Sequence, residues 1–123
     1  MPYGSVNSVV FMAATHKRTY ARYTREGVTL LGKMIRLGRK QRKMTEHELA
    51  ERLGIARSTL QRMEKGDPKV EVGLMFEAAA IVGVKLFDED EKGITALSSR
   101  TDDRIALLPK HIYKTGKRVD DEF

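Results

Sequence analysis

Apolar residues recur at helical spacing over residues 28–43, the first periodic stretch of the chain. Leu31, Ile35 and Gly38 fall on one side of the helix that this spacing predicts, with Met34 beside them. Lysine and arginine residues fill the intervening positions. We therefore predict an amphipathic helix over 28–43 whose apolar side faces a core.

Three further helices are predicted downstream, over residues 46–53, 57–65 and 72–82. The first starts at a capping box, in which Thr45 and Glu48 each accept a hydrogen bond from the other's backbone amide. Gly54 ends this helix in a tight turn. By contrast, Ala56 offers no side-chain oxygen at the N-cap of the next helix. This helix is therefore less stable by about 1 kcal/mol than one with serine or threonine at that position. The third of these helices is apolar almost all round, so it packs into the core or against a second subunit.

The two ends of the chain lack a strong periodic pattern. Residues 1–27 are predicted to be a partly disordered arm, which would be shorter if translation began at Met12. Residues 88–123 are predicted to be an acidic linker and a tail, with one strand or short helix over 104–108 that Pro109 stops. The sequence therefore predicts an all-α fold, with one domain at 28–87 between two flexible extensions.

The central helices have the spacing of a helix-turn-helix. In a twenty-residue window that begins at Glu46, Ala50 is the fifth residue and Gly54 is the ninth. A small fifth residue lets the two helices approach closely, and a glycine at the ninth position permits the turn between them. The other positions that fix the helix crossing are apolar: Leu49, Leu53, Ile55, Leu60 and Met63. The register indicates a pair of helices of which the second enters a DNA groove.

Positive charge is concentrated on the same segment. The formal net charge is +6, and residues 30–66 alone hold ten basic and four acidic residues. Residues 67–103 reverse the balance, with four basic and nine acidic residues. A concentrated basic region attracts polyanions and speeds their encounter. A solvated charged surface would give the same composition, so the charge supports a nucleic-acid partner only together with the helix-turn-helix spacing.

Other classes of function find little support in the sequence. No apolar run approaches the roughly 18 residues of a membrane span, and residues 8–14 lack the flanks of a secretory signal. Cysteine is absent and the three histidines are scattered, which argues against a metal site and suits the cytoplasm. No phosphate-binding glycine loop or Ser/His/Asp arrangement indicates an enzyme, and no cofactor is implied. The acidic run 88–91 lacks the pattern of a calcium loop and is interpreted as a solvated turn.

The centre of the chain resembles the Xre/Cro-type helix-turn-helix domain of phage repressors and antitoxins, on the stretch LGKMIRLGRKQRKMTEHELAERLGIARSTLQRMEKGDP. The resemblance covers about residues 28–87 and implies a small lambda-repressor-like domain of four to five helices. The continuation KVEVGLMFEAAAIVGVKLFD and the closing RIALLP and VDDEF are similar to HipB-like antitoxins, which are encoded beside HipA-like kinase toxins.

The resemblance implies that the helix over residues 57–65, the third in chain order, enters the major groove of DNA by its N-terminal end. Arg57 could donate two parallel hydrogen bonds to guanine, and Gln61 could pair in the same way with adenine. These two residues are four apart, so they share one helix face. The matching base-contacting set is Arg57, Ser58, Gln61 and Arg62, with Ser58 also suited to a phosphate. The candidate phosphate contacts are Thr45, His47, Thr59, Lys40, Lys43 and Lys65, of which His47 could instead be simply exposed.

Two further charged positions are interpreted through the resemblance. In the resembling domains an arginine and a glutamate at the positions of Arg39 and Glu64 pair internally, which would tie the first helix to the third. Many family members have a glutamine at the position of Glu46, where it bonds a DNA phosphate. Glu46 would repel that phosphate, although its charge suits the N-terminal dipole of its own helix.

The leading prediction is a sequence-specific repressor that binds a palindromic DNA operator as a homodimer. The fourth helix and the apolar residues over 81–87 are the candidate dimer face, but they could equally complete the core of one monomer. The narrower resemblance implies an antitoxin that binds a HipA-like Ser/Thr kinase toxin, with residues 104–123 as the candidate contact. Two alternatives stay open: a stand-alone Xre-type regulator, and a protein-interaction module that has lost DNA binding.

Overall fold

A computed structural model describes residues 18–114, 117 and 118 of the chain. These residues form five α-helices: α1 (Arg22–Gln41), α2 (Glu46–Leu53), α3 (Arg57–Glu64), α4 (Val72–Ile81) and α5 (Glu91–Ala106). A 3₁₀-helix covers Leu86–Asp88, and strands β1 (Tyr113–Lys114) and β2 (Lys117–Arg118) pair antiparallel with Tyr113 opposite Arg118. The predicted all-α fold is confirmed. The predicted flexible extensions fall in part on residues 1–17, 115–116 and 119–123, outside the described residues.

The chain divides into two compact units, Met1–Val84 and Lys85–Phe123. The first contains α1 to α4, and the second contains the 3₁₀-helix, α5 and the two strands. The sequence predicts a boundary after residue 87, and that boundary stays a prediction. The two helices with helix-turn-helix spacing therefore belong wholly to the first unit.

The core of the first unit is built from the facing sides of α1 to α4. Ile35 of α1, Leu49 of α2, and Leu60 and Met63 of α3 have no exposed surface. Burying a side chain of this size contributes about 1.5–3 kcal/mol relative to leaving it in water. The other buried apolar residues are Ala50, Val70, Met75, Ala78, Ala79 and Val82. The apolar positions that predicted the helices thus also hold the helices together.

Local signals set both ends of α2. Thr45 Oγ1 accepts a hydrogen bond from the Glu48 backbone N at 3.0 Å, and Glu48 Oε1 accepts one from the Thr45 backbone N at 2.7 Å. The predicted capping box is therefore confirmed. Gly54 closes the helix with a φ of 70°, in the left-handed region that glycine adopts without strain. α3 begins after Ala56, which supplies no side-chain cap.

α1 and α3 lie in direct backbone contact at Gly32. A Cβ atom at this position would lie 2.5 Å from the carbonyl oxygen of Met63 and 2.9 Å from that of Glu64. Both neighbours are backbone atoms, so they cannot rotate away as the end of a flexible side chain could. Glycine at residue 32 is therefore what lets α1 lie against the last turn of α3.

Gly32→Ala is expected to lower the free energy of unfolding by about 1–3 kcal/mol, because the added methyl group would overlap the backbone of α3. Gly27→Ala is the matched control in the same helix, since its Cβ would meet nothing within 4 Å. Alanine should there stabilise the helix by about 0.5–1 kcal/mol. Urea denaturation measures both changes, and two variants of equal stability would contradict the close contact.

The predicted start of the first helix at residue 28 is wrong, because α1 begins at Arg22. Residues 22–27 are all exposed, so they carry no apolar period from which a helix could be predicted. Within them, Arg22 Nε donates to Glu26 Oε2 at 3.1 Å, one helical turn away. The end of the predicted N-terminal arm is thus a helical extension of the domain.

The predicted linker with a short element at 104–108 is also wrong, because α5 runs from Glu91 to Ala106. The helix starts at Asp90, whose Oδ1 accepts a hydrogen bond from the Gly93 backbone N at 2.9 Å. No residue of α5 is fully buried, so the helix lacks the strong apolar side that predicted the helices of the first unit. An aspartate at the N-cap was the local signal that could have predicted it.

Candidate nucleic-acid interface

α2 and α3 form a two-helix unit with a tight turn at residues 54–56. The Ile55 backbone N donates to the Ala50 carbonyl at 3.0 Å, which closes the turn against α2. Leu60 and Met63 bury one side of α3 in the core. The other side carries the predicted base contacts, with Arg57, Ser58 and Arg62 exposed and Gln61 half-buried. The unit can therefore present α3 to a groove without disturbing the core.

Three polar side chains meet across the turn between α2 and α3. Glu46 Oε1 accepts hydrogen bonds from Arg57 Nε at 2.9 Å and from Gln61 Nε2 at 3.1 Å. The side chain of Arg57 is 66% exposed and that of Glu46 is 29% exposed, so the group is open to solvent. These bonds, first that from Arg57 and then that from Gln61, hold the pKa of Glu46 below its usual range. The Glu46 carboxylate is therefore ionised at neutral pH.

Arg39 and Glu64 contact each other between α1 and α3. Arg39 Nε donates to Glu64 Oε2 at 2.7 Å, and Arg39 Nη2 donates to Glu64 Oε1 at 3.0 Å. Arg39 Nη1 also donates to the Met44 carbonyl at 2.9 Å. The hydrogen bond to Glu64 raises the pKa of Arg39 above its ordinary value. With side chains only 7% and 5% exposed, this bidentate pair joins the two helices inside the domain.

Arg62 has a partner at the opposite end of α3 from Arg57. Its Nε donates to Asp67 Oδ2 at 2.8 Å, in the turn that follows the helix. Asp67 Oδ1 accepts from the Lys69 backbone N at 2.8 Å. That bond, followed by the one from Arg62, keeps the pKa of Asp67 below its usual range. The structure thus ties Arg62 to the turn, and a base contact by Arg62 stays a prediction.

The predicted phosphate contacts surround the ends of the helices. Thr45 is the cap of α2, so its oxygen already accepts one hydrogen bond from the backbone. Lys43 lies between α1 and α2 with a φ of 57°, in the left-handed region. The exposed members of the set are Lys40, Lys43, Thr45, His47 and Lys65, whereas Thr59 is half-buried. Contact of these residues with a phosphate stays a prediction.

Among the polar contacts of the domain that the sequence did not indicate are those of Glu46 and of Arg42. Glu46 is joined to Arg57 and Gln61, which follow it by 11 and 15 residues. A carboxylate and two donors at those separations across a helix-turn-helix were the signal that could have suggested the contact. Arg42 Nη1 donates to the Ile81 carbonyl at 2.8 Å and so satisfies one of the terminal carbonyls of α4. These partners are 39 residues apart, and no sequence signal indicated their contact.

The part of the chain that the structure describes contains neither a candidate metal site nor a membrane-spanning helix. There, no three His, Asp or Glu side chains come together in a group that could hold a metal ion. Among residues 18–114, no helix has both the length and the apolar composition that crossing a bilayer requires. The acidic run 88–91 supplies the N-cap of α5 through Asp90.

Residues 35–88 match the model of a protein family described as helix-turn-helix. The match takes in α2, α3, α4, the last two turns of α1 and the 3₁₀-helix. No curated protein and no solved structure matches the chain. The family is one of DNA-binding regulatory domains and not of catalytic ones. The chain thus contains an Xre-type helix-turn-helix match within residues 35–88, and this match supports a DNA-binding transcription regulator.

Proposed function

We propose that this chain is a sequence-specific transcriptional repressor and that α3 is its recognition helix. The observation that carries the proposal is the pair Arg57 and Gln61, which stand one turn apart beside Glu46 at the solvent side of α3. An arginine can donate two hydrogen bonds to guanine O6 and N7, and a glutamine can pair with adenine N6 and N7. The two residues would then read neighbouring bases from one helix face, with Ser58 and Arg62 as further candidate contacts.

Phosphate contacts would supply most of the affinity in this proposal. Lys40, Lys43 and Lys65 are exposed around the ends of α1 and α3. Ala56 gives α3 no side-chain cap, which leaves backbone amides at its positive end available to a phosphate oxygen. Each phosphate that a lysine neutralises should steepen the salt dependence of binding.

We also propose that the repressor acts as a homodimer with α4 in its interface. Met75, Ala78 and Ala79 of α4 are buried in the core, whereas Val72 is 68% exposed and Phe76 is 40% exposed. This division supports both roles that the sequence suggests for the helix, core completion and dimer contact. Two copies of α3 related by a two-fold axis would read half-sites about one DNA turn apart.

The resemblance to HipB-like antitoxins leads us to propose a second partner, a HipA-like Ser/Thr kinase toxin. An apolar run at the end of the second unit supports a protein contact there. Leu107 is 84% exposed, Leu108 69%, Ile112 66% and Tyr113 65%. A partner that covered these side chains would remove their apolar surface from water.

Deleting residues 107–123 is expected to remove the kinase contact while DNA binding is retained, because the deletion leaves α1 to α5 complete. A reporter gene behind the DNA upstream of this chain's own gene measures repression. Co-purification with a co-expressed HipA-like kinase measures the partner contact. The full chain should repress the reporter and retain the kinase, and the truncated chain should repress equally and retain much less.

Each arm of this experiment can fail separately. A full chain that leaves the reporter unrepressed would contradict the proposed repressor. Equal loss of repression and of kinase binding on truncation would contradict a partner contact in the tail and would instead indicate damage to the dimer. Kinase binding that survives the deletion unchanged would place the contact within the retained residues 1–106.

A further inference from the structure

Glu46 holds two of the side chains that the proposed function assigns to base readout. A single oxygen, Oε1, accepts from Arg57 Nε at 2.9 Å and from Gln61 Nε2 at 3.1 Å. We propose that Glu46 is a positioning residue for base readout, whose carboxylate fixes Arg57 and Gln61 in the orientation in which they meet the bases. The inference rests on the proposed function, since it concerns how α3 would read DNA and not whether it does.

The contact leaves Arg57 the donors that guanine requires. An arginine side chain offers five N–H groups, one on Nε and two on each terminal nitrogen. Glu46 takes the Nε donor, and within residues 18–114 the two terminal nitrogens of Arg57 donate to no other residue. Two parallel N–H groups on the terminal nitrogens match guanine O6 and N7. Glu46 therefore restrains the guanidinium without occupying its outer edge.

The same carboxylate determines which way the Gln61 amide is turned. An ionised carboxylate only accepts hydrogen bonds, so Gln61 must face Glu46 with its NH₂ group and not with its oxygen. The second N–H of that group and the amide oxygen then stay available for adenine N7 and N6. A glutamine at residue 46 could face Gln61 with either end of its own amide, which would leave this orientation unspecified.

A purely stabilising role explains the contact less well. The ion pair lies at the surface, where such pairs add little to the stability of a fold. Glu46 also places a negative charge beside the proposed DNA contact, where phosphates would repel it. Pairing with Arg57 offsets that charge, and the restraint lowers the conformational entropy that Arg57 and Gln61 would lose on binding.

Two substitutions of Glu46 separate the loss of its acceptor oxygen from the loss of its negative charge, and a third substitution serves as the control. Glu46→Ala removes both, and Glu46→Gln removes the charge but keeps an acceptor oxygen. Glu51→Ala is the control, because it removes one exposed carboxylate from the same helix, and within the described residues that carboxylate makes no hydrogen bond or ion pair. Thermal unfolding checks that each variant is folded.

The wild-type protein first selects sites from a randomised duplex pool, and the selected duplex and its single base-pair variants are then used as binding probes. Glu46→Ala should reduce discrimination about three- to tenfold at the guanine and adenine positions alone, as expected for loss of one or two ordered side chains. Glu46→Gln should lose less, and Glu51→Ala should discriminate as the wild type does. Without DNA, Glu46→Ala should shift the Arg57 Nε–Hε NMR signal.

The contrary results are distinct from one another. Uniformly tighter binding of Glu46→Ala to all duplexes, with unchanged discrimination, would overturn the inference and leave Glu46 as a source of repulsion only. An unchanged Arg57 signal would overturn it by showing that the hydrogen bond is absent. If the wild type selects no sequence at all, the proposed function fails and the inference fails with it.

Discussion

Arg39→Met is expected to lower the free energy of unfolding by about 3–5 kcal/mol, because it leaves the Glu64 carboxylate buried without its partner. Glu64 lies inside the domain with 5% of its side chain exposed, so water cannot replace the two lost hydrogen bonds. The same change removes the hydrogen bond from Arg39 to the Met44 carbonyl. Since domains of this size have a total stability of only about 5–15 kcal/mol, the variant should be close to unfolding.

Two further variants show whether the cost comes from the unpaired charge. The double variant Arg39→Met with Glu64→Met should recover most of the lost stability, because two apolar side chains replace both members of the buried pair. Arg36→Met, an exposed position on the same helix, should change stability by no more than about 0.5 kcal/mol. Urea denaturation measures all three. A loss of under 1 kcal/mol in Arg39→Met would show that the pair does not hold α1 to α3.

The second large effect concerns DNA. Arg57→Ala should cost about 1–3 kcal/mol of discrimination at the base pair that Arg57 reads, because it removes both donors to guanine. Its side chain is 66% exposed and makes its contact with Glu46 at the surface, so the fold should be preserved. Binding constants for the selected duplex and for its variants at that position measure the loss.

Arg25→Ala is the matched control for this substitution, since it removes one exposed arginine from α1 and leaves α3 unchanged. It should affect all duplexes equally, whether or not Arg25 meets a phosphate. Arg57→Ala should instead affect the duplexes unequally. An Arg57→Ala protein with the wild-type preference at every base pair would contradict the assignment of Arg57 to base readout.

Much of the fold could be predicted because most of its helices bury an apolar side. α2 begins and ends at the predicted residues, and α3 ends one residue before its predicted end. In both, buried leucines and local signals such as the Thr45 capping box agree. The first six residues of α1 are all exposed, and no residue of α5 is fully buried. The spacing of apolar residues therefore could not predict these two helical segments. In α5 only the Asp90 N-cap indicated a helix.

In the candidate site, too, part of the arrangement could be predicted from the sequence and part could not. The four-residue spacing placed Arg57 and Gln61 on one helix face, because that relation depends on α3 alone. The contact of both with Glu46 depends on how α2 crosses α3, which the spacing within one helix does not determine. For this reason Glu46 was interpreted only as a charge that opposes a phosphate, and its two hydrogen bonds became evident in the folded domain.

The most direct test of sequence-specific DNA binding is fluorescence anisotropy with the duplex upstream of this chain's own gene, beside a scrambled duplex of equal length and composition, at two salt concentrations. A sequence-specific repressor should prefer the upstream duplex by roughly a thousandfold or more, and part of this preference should remain as the salt concentration rises. Equal and steeply salt-dependent binding to both duplexes would contradict it, because such binding needs only the basic segment and no base readout.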